Sequence, residues 1–228
     1  MSVNLPTVLT EDTHFYKKYE NELKHLLGKY YISYSTINSW FDYRPDFIKQ
    51  KFLGIRLPSG VYADMGNFLG EAVENGFFSQ DNPHGFIGQE NVDLNKYRKP
   101  DAEYEKLIII DRGEYFMVGF IDIYYEQEGK KYLEDNKSGG ANKEKEYASE
   151  DYLQTVFYNY ALGGDCVTGV NFFRREGSHV RPPLKLGKEQ FYIPVEYNES
   201  RVKKALAKLD LAVKEISEIK KVFDKYFG

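Results

Sequence analysis

Apolar residues fall at helical spacing in three parts of the chain and in short strand-like runs between them. From Asp64 to Phe77, Met65, Phe68, Leu69, Ala72 and Val73 share one face of a 3.6-residue repeat, which predicts a helix. From Ser149 to Leu162, Leu153, Val156, Phe157 and Tyr160 form a second stripe, stopped by Gly163-Gly164. From Ser200 to Phe227, Val202, Leu206, Leu209, Val213, Ile216, Ile219 and Phe223 form the longest one. Packing on its own domain is the plainer reading of that stripe, and a coiled-coil seam is the other. Near the start, Asp12 to Leu27 reads as a weakly amphipathic helix. Ser35 is a candidate N-cap for a helix opening at Thr36, which Pro45 interrupts before a second piece over Asp46 to Leu53.

Strands are predicted at Leu107 to Asp111, Glu114 to Tyr125, Lys130 to Lys137, Val167 to Arg174 and Gln190 to Glu196. Residues 79–105 read as loop, Asn142 to Glu146 as a charged linker, and the last two strands as joined by a proline-containing loop. The order is helices, a strand meander, a crossover helix, then strands and a helix. The crossover can carry the chain to a parallel strand in the same sheet. This predicts an α/β fold with a mixed central sheet flanked by helices. A single domain is expected: a helical part over 1–60, a core over 61–197 and a C-terminal helix over 198–228.

Two of the strands carry acids where a half-buried strand should be neutral. Asp122 lies between Ile121 and Ile123, and Tyr132-Leu133 runs into Glu134-Asp135-Asn136-Lys137. Glu128-Gly129 between them is a hairpin signal. With those two as the loop, Gln127 faces Lys130 and Asp122 faces Asp135. Directly opposed Cβ atoms sit roughly 4.5–5.5 Å apart, where like charges repel. Lys137 follows Asp135 by two and shares its face. Two carboxylates and an ammonium on one patch suit a hard divalent cation. Taken alone, D-x-K is short and common, and a hairpin with solvated charges explains it as well.

Composition narrows the classes. The chain of 228 residues has 20 Tyr and 16 Phe and a formal net charge of −4, so it is no generically basic nucleic-acid binder. Cys166 is the one cysteine, which excludes an intrachain disulfide framework and an all-cysteine metal or iron–sulfur site within one chain. A reducing, cytoplasmic setting is expected. MSVNLPTVLTEDTHF shows no secretory pattern, and no apolar run approaches the roughly 20 residues that span a bilayer. One stretch, Arg174 to Lys188, is locally basic, with Arg174, Arg175, His179, Arg181, Lys185 and Lys188 against Glu176. It reads equally as a phosphate-tracking surface or a solvated loop. The four histidines show no metal-ligand spacing.

Four features follow in order: Gly70-Glu71-Ala72-Val73-Glu74, then Gly119-Phe120-Ile121-Asp122, then Asp135-Asn136-Lys137-Ser138-Gly139, then Gln154 and Tyr158 one turn apart. With YISYSTINSWFDYRPDFI upstream, this set resembles the PD-(D/E)XK nuclease superfamily, nearest its RecB-like and phage-type exonuclease branch, over roughly residues 31–160. The resemblance implies a restriction-endonuclease-like core and a Mg²⁺- or Mn²⁺-dependent DNA nuclease in recombination, repair or replication, an exonuclease as the leading form with an endonuclease as the variant. It implies DNA as partner, with a recombination or replication protein beside it; oligomerisation stays open. Asp122, Asp135, the Asn136 carbonyl and either Glu74 or Glu71 would hold the metal. Lys137 and Gln154 would act at the reaction centre, and Tyr158 would support substrate; apart from the resemblance, the basic stretch offers Arg174, Arg175 and Arg181 as residues to grip it. Arg44 stands where iron–sulfur members of the branch carry a cysteine, so no such cluster is expected. The competing reading is a nuclease fold that has lost catalysis and only binds nucleic acid or a protein.

Overall fold

In the computed structural model of the protein, Glu128 and Gly129 both adopt positive φ, 54° and 71°. That pair of left-handed residues closes a two-residue hairpin whose twist suits its strands. The structure describes residues 7–55, 57, 60–99, 101–178 and 181–227. The strands are β1 (Thr7–Val8), β2 (Tyr30–Ser33), β3 (Glu103–Asp111), β4 (Tyr115–Gln127), β5 (Lys130–Gly139), β6 (Cys166–Ser178) and β7 (Arg181–Pro194). They form one seven-stranded mixed sheet in the order β1-β2-β4-β5-β6-β7, with β3 beside β4. The β4–β5 register pairs Gln127 with Lys130 and Ile123 with Glu134, the alignment expected from the hairpin. β5 and β6 run parallel, joined by a crossover containing α6 (Ala141–Tyr147) and α7 (Gln154–Ala161). The α/β architecture, the flanking helices and the long C-terminal helix are those of a restriction-endonuclease-like core.

The chain packs as two compact units. One comprises the N-terminal part through Leu57, Leu107–Gly119 and the chain from Lys203 onward. Here Ser33 caps α2 (Tyr34–Asp42) by accepting from the Thr36 N–H, so the cap is Ser33 and not Ser35. Ser33 ends β2, and its extended backbone leaves its hydroxyl free to turn onto the first helical turn. Pro45 sits in the first turn of α3 (Arg44–Lys51), where its missing N–H costs nothing. Arg44 stacks on Trp40 at 4.2 Å and pairs with Glu215 at 2.6 Å, and the Trp40 indole donates to the same carboxylate. Glu215 belongs to α8 (Glu199–Phe227). The expected helix over Asp12 to Leu27 is broken into α1 (Glu20–Leu23) between short 3₁₀ turns.

The other unit runs from beyond Leu57 through Lys106 and over Phe120–Val202. Its helix α4 (Val61–Asn75) buries Met65, Phe68, Leu69 and Val73 against Ile123, Tyr125, Phe173, Leu184 and Leu186. Gly76, at φ 80°, ends it in the left-handed conformation that a side chain resists. A short α5 (Leu94–Tyr97) brings Tyr97 onto Phe173. Two expectations differ here. Asn142 to Glu146 lies in helix α6, not a linker: the segment has no apolar stripe, and the turn starts at Gly140. Between Arg174 and Gln190 the described residues, through Ser178 and again from Arg181, are not loop but continue the β6–β7 pairing, with register shifts at Phe173/Arg175 and Glu176/Ser178. Irregular pairing there accommodates prolines and glycine that read as loop. Among the described residues, no helix is long and apolar enough to cross a membrane.

Candidate active site

The site lies wholly within the second unit. The β4–β5 ladder reaches Ile123–Glu134, and one step further the Asp122 carboxylate accepts the Asn136 N–H at 2.7 Å. A side chain thus takes the backbone donor at the place where the two strands part. The cleft at this point has a volume of about 530 Å³. Asp122, Asn136, Lys137 and Ser138 line it from the strands, and Glu71 and Glu74 from α4.

Asp135 is fully buried, at 0% exposure. A lone buried carboxylate costs several kcal/mol. Three donors offset that here: Lys137 Nζ at 2.6 Å and the Tyr152 hydroxyl at 2.7 Å meet Oδ2, while Gln154 Nε2 meets Oδ1 at 2.8 Å. Gln154 also donates to the Tyr158 hydroxyl at 3.0 Å. Tyr158 is buried behind Gln154; burial and the nearby Asp135 hold its hydroxyl well above the usual phenol range. Gln154 and Tyr158, one helical turn apart on α7, therefore reach Asp135 as one relay.

The charges are coupled. Burial, then Asp135, pushes the Asp122 carboxyl up to about 7, against the opposing pull of Lys137 and the Asn136 N–H. Burial alone would depress the Lys137 ammonium, but Asp135 and Asp122 outweigh it and hold the group above its usual value. Lys137 is 26% exposed at its side chain, so one part touches Asp135 and another borders the cleft. Oxygen donors facing the cleft are those of a hard-cation site in type: Asp122, Glu71, Glu74 and main-chain carbonyls. Among the described residues, no three His, Cys, Asp or Glu side chains converge closely enough to hold a metal by themselves.

The structure therefore gathers Asp122, Asp135, Asn136, Lys137, Gln154 and Tyr158, and sets both Glu71 and Glu74 on the cleft wall. The basic stretch is divided. Arg174 is paired with Glu144 at 3.1 Å and Glu189 at 2.9 Å, whereas Arg175 stacks on Tyr62 at 3.8 Å. His179 and the side chain of Arg181 lie outside the described residues. Three residues were missed in the sequence. Tyr152 sits in a turn before α7, where no periodicity marks it. Arg201 is 7% exposed, and its guanidinium donates to the Tyr152 carbonyl at 2.6 Å and the Ser149 carbonyl at 3.3 Å. It fixes the turn that aims Tyr152 at Asp135, 49 residues away in sequence from that tyrosine. Glu105 lines the cleft from β3 with a φ of 53°, rare for a residue with a side chain, and its charge adds to the upward push on Asp122.

No family model and no curated protein sequence matches the chain. Among solved structures, it is similar to a protein named "Putative exonuclease" from Eubacterium rectale, with a TM-score of 0.56, 12% identity, and coverage of 94% of this chain and 87% of that one. A structure of the protein SSO0001 aligns with a TM-score of 0.42 at 16% identity, over 86% of this chain and 82% of that one. At such identity the first likeness is one of fold alone.

Proposed function

We propose that the chain is a divalent-metal-dependent DNA nuclease that hydrolyses phosphodiester bonds, acting from strand ends. One observation carries this reading: a buried carboxylate, Asp135, holds an ammonium, Lys137, at the wall of a cleft where a second carboxylate, Asp122, is forced up to about 7. A structural role alone needs no such crowding. The name of the Eubacterium rectale protein agrees with the reading.

In this mechanism Asp122, the Asn136 carbonyl and Asp135 would hold the cation, with Glu74 or Glu71 across the cleft. Asp135 retains lone-pair sites beyond its three donors. When bound, a Mg²⁺ or Mn²⁺ ion supplies a water of lowered pKa and neutralises phosphoryl oxygens. Lys137 keeps its proton under the field of both carboxylates. Its ammonium orients the attacking water and stabilises the charge that develops on the phosphorane-like oxygens. Gln154 and Tyr152 fix the Asp135 carboxylate so that Lys137 does not swing away. The second reading, a fold that only grips nucleic acid, draws on the enclosure of Asp135 among those three donors.

The test is incubation of the pure protein with end-labelled linear and closed circular DNA in Mg²⁺, Mn²⁺ or EDTA. Metal-dependent release of nucleotides from the linear substrate alone is expected. Cutting of circles makes it an endonuclease, and undiminished cutting in EDTA with free metal removed ends the proposal. Lys137→Ala and Asp122→Asn are each expected to lower cleavage by several orders of magnitude with DNA affinity changed far less. A wild-type protein that binds DNA, cuts none of it with either metal, and binds alike in both variants is the binding module.

A further inference from the structure

We infer that Arg175, stacked on the cleft-lining Tyr62, is the cation that seats a phosphate of the nucleic-acid strand entering beside Asp122 and Lys137; this rests on the nuclease reading of the cleft.

The sequence gives Arg174 and Arg175 as equals, and the structure separates them. Arg174 lies between Glu144 and Glu189, so its charge is matched inside the protein. Arg175 is half-buried, and among the described residues no carboxylate pairs with it. Its guanidinium carbon sits 3.8 Å from the centre of the Tyr62 ring. Tyr62 is itself part of the cleft lining, on the first turn of α4, along with Asp122, Lys137 and Ser138. The β6–β7 register shifts between Phe173 and Arg175, and an irregularity of this kind re-aims the side chain next to it.

Burying a cation against a ring without an acid is unfavourable by itself. Desolvation lowers the Arg175 pKa, with the hydroxyls of Tyr62 and Tyr147 opposing it. Cation–π attraction at a partly exposed site returns only about 0.5–1 kcal/mol. An anionic ligand supplies the missing partner. The stack takes up the flat face of the guanidinium and leaves its N–H fork at the edge, the geometry that receives two phosphate oxygens. Such a contact fixes a strand in register and reads no base, so the ligand class is the phosphodiester backbone itself. A lysine in the same place would give a point charge without the stack or the fork. The plainer role, a long stem covering apolar surface, predicts no loss of phosphate affinity on substitution.

The experiment measures binding of a fluorescent single-stranded oligonucleotide and its duplex in EDTA, across a salt series, for wild type, Arg175→Gln, Arg175→Lys and the charge-matched surface control Lys49→Gln. Arg175→Gln is expected to weaken binding about tenfold at low salt. The slope of log affinity against log salt should fall by about 0.7 on the single strand or about 0.9 on the duplex, one phosphate contact. Arg175→Lys should keep the slope and bind several-fold more weakly than wild type. In Mg²⁺, KM for DNA should rise by more than kcat falls. Thermal melts check folding; if Arg175→Gln does not fold, Arg175→Lys decides alone, and wild-type affinity in it overturns the inference. Equal affinity and slope in wild type and Arg175→Gln overturn it too, with the nuclease reading intact if wild type still cuts DNA. A wild type that cuts nothing, beside an Arg175→Gln that loses the slope, sinks the nuclease reading and leaves the phosphate contact standing.

Discussion

Asp122 is the residue on which pH and metal should meet. Its carboxyl is pushed up to about 7 in the folded protein, above the 3.8 of an unperturbed aspartate. The folded state therefore holds that proton longer than the unfolded chain does. This contribution to stability is complete below about pH 4 and is lost as pH rises through about 7. Under the proposed function a cation would replace the proton above that point, so the melting shift produced by Mg²⁺ or Mn²⁺ should grow from pH 6 to pH 8 and be flat in Asp122→Asn. A shift that does not change with pH contradicts this. Tyr152→Phe removes one of three donors from a carboxylate with no access to water, at a cost of about 1–3 kcal/mol, read as a lower denaturant midpoint with an unchanged m-value. Asp135 and Lys137 on β5, and Gln154 and Tyr158 on α7, are legible as neighbours in the sequence because each pair keeps a fixed spacing within one element, and Asp122 because a two-residue turn sets its register against Asp135. Tyr152 and Arg201 are not, since their value arises only from where a turn and a distant helix start bring them.

The helix α4 shows the same division one level up. Its buried face follows the apolar repeat and was plain from the sequence. Its other face matters for what it lacks: Gly66 and Gly70 line the cleft, and a Cβ at either would meet no atom within 4 Å. Gly70→Ala should therefore raise stability by about 1 kcal/mol through helix propensity, while its methyl narrows the cleft and raises KM for DNA. Loss of stability in a thermal melt would show that the glycine serves packing after all. The extended β6–β7 pairing is not legible in the sequence because backbone groups of the two strands carry it, not side-chain alternation. Pro182, Pro183 and Gly187 fall where the register shifts, and the pairing resumes on either side of them.

Across the whole molecule, the α/β class and the parallel β5–β6 step were foreseeable from element order, while the division into two compact units was not, because each unit collects segments far apart in sequence. The β4–β5 turn is local, needing only Glu128 and Gly129 to enter the left-handed region. The parallel step is not: Asp135 meets Tyr152 and Gln154 only after the chain has closed loops of 17 and 19 residues. Loop closure is paid before such contacts reward it. The carboxylate should thus stay in water through most of the folding reaction and become enclosed late. Glu128→Asn, which eases the turn, is expected to speed refolding, whereas Tyr152→Phe should leave refolding unchanged and speed unfolding. Stopped-flow chevrons of the two variants measure this, and a slowed folding arm in Tyr152→Phe would mean that the crossover docks early. With the folding arm unchanged, Asp135 is enclosed only late, and a chain still on the ribosome would carry the hairpin long before it carried a complete cleft.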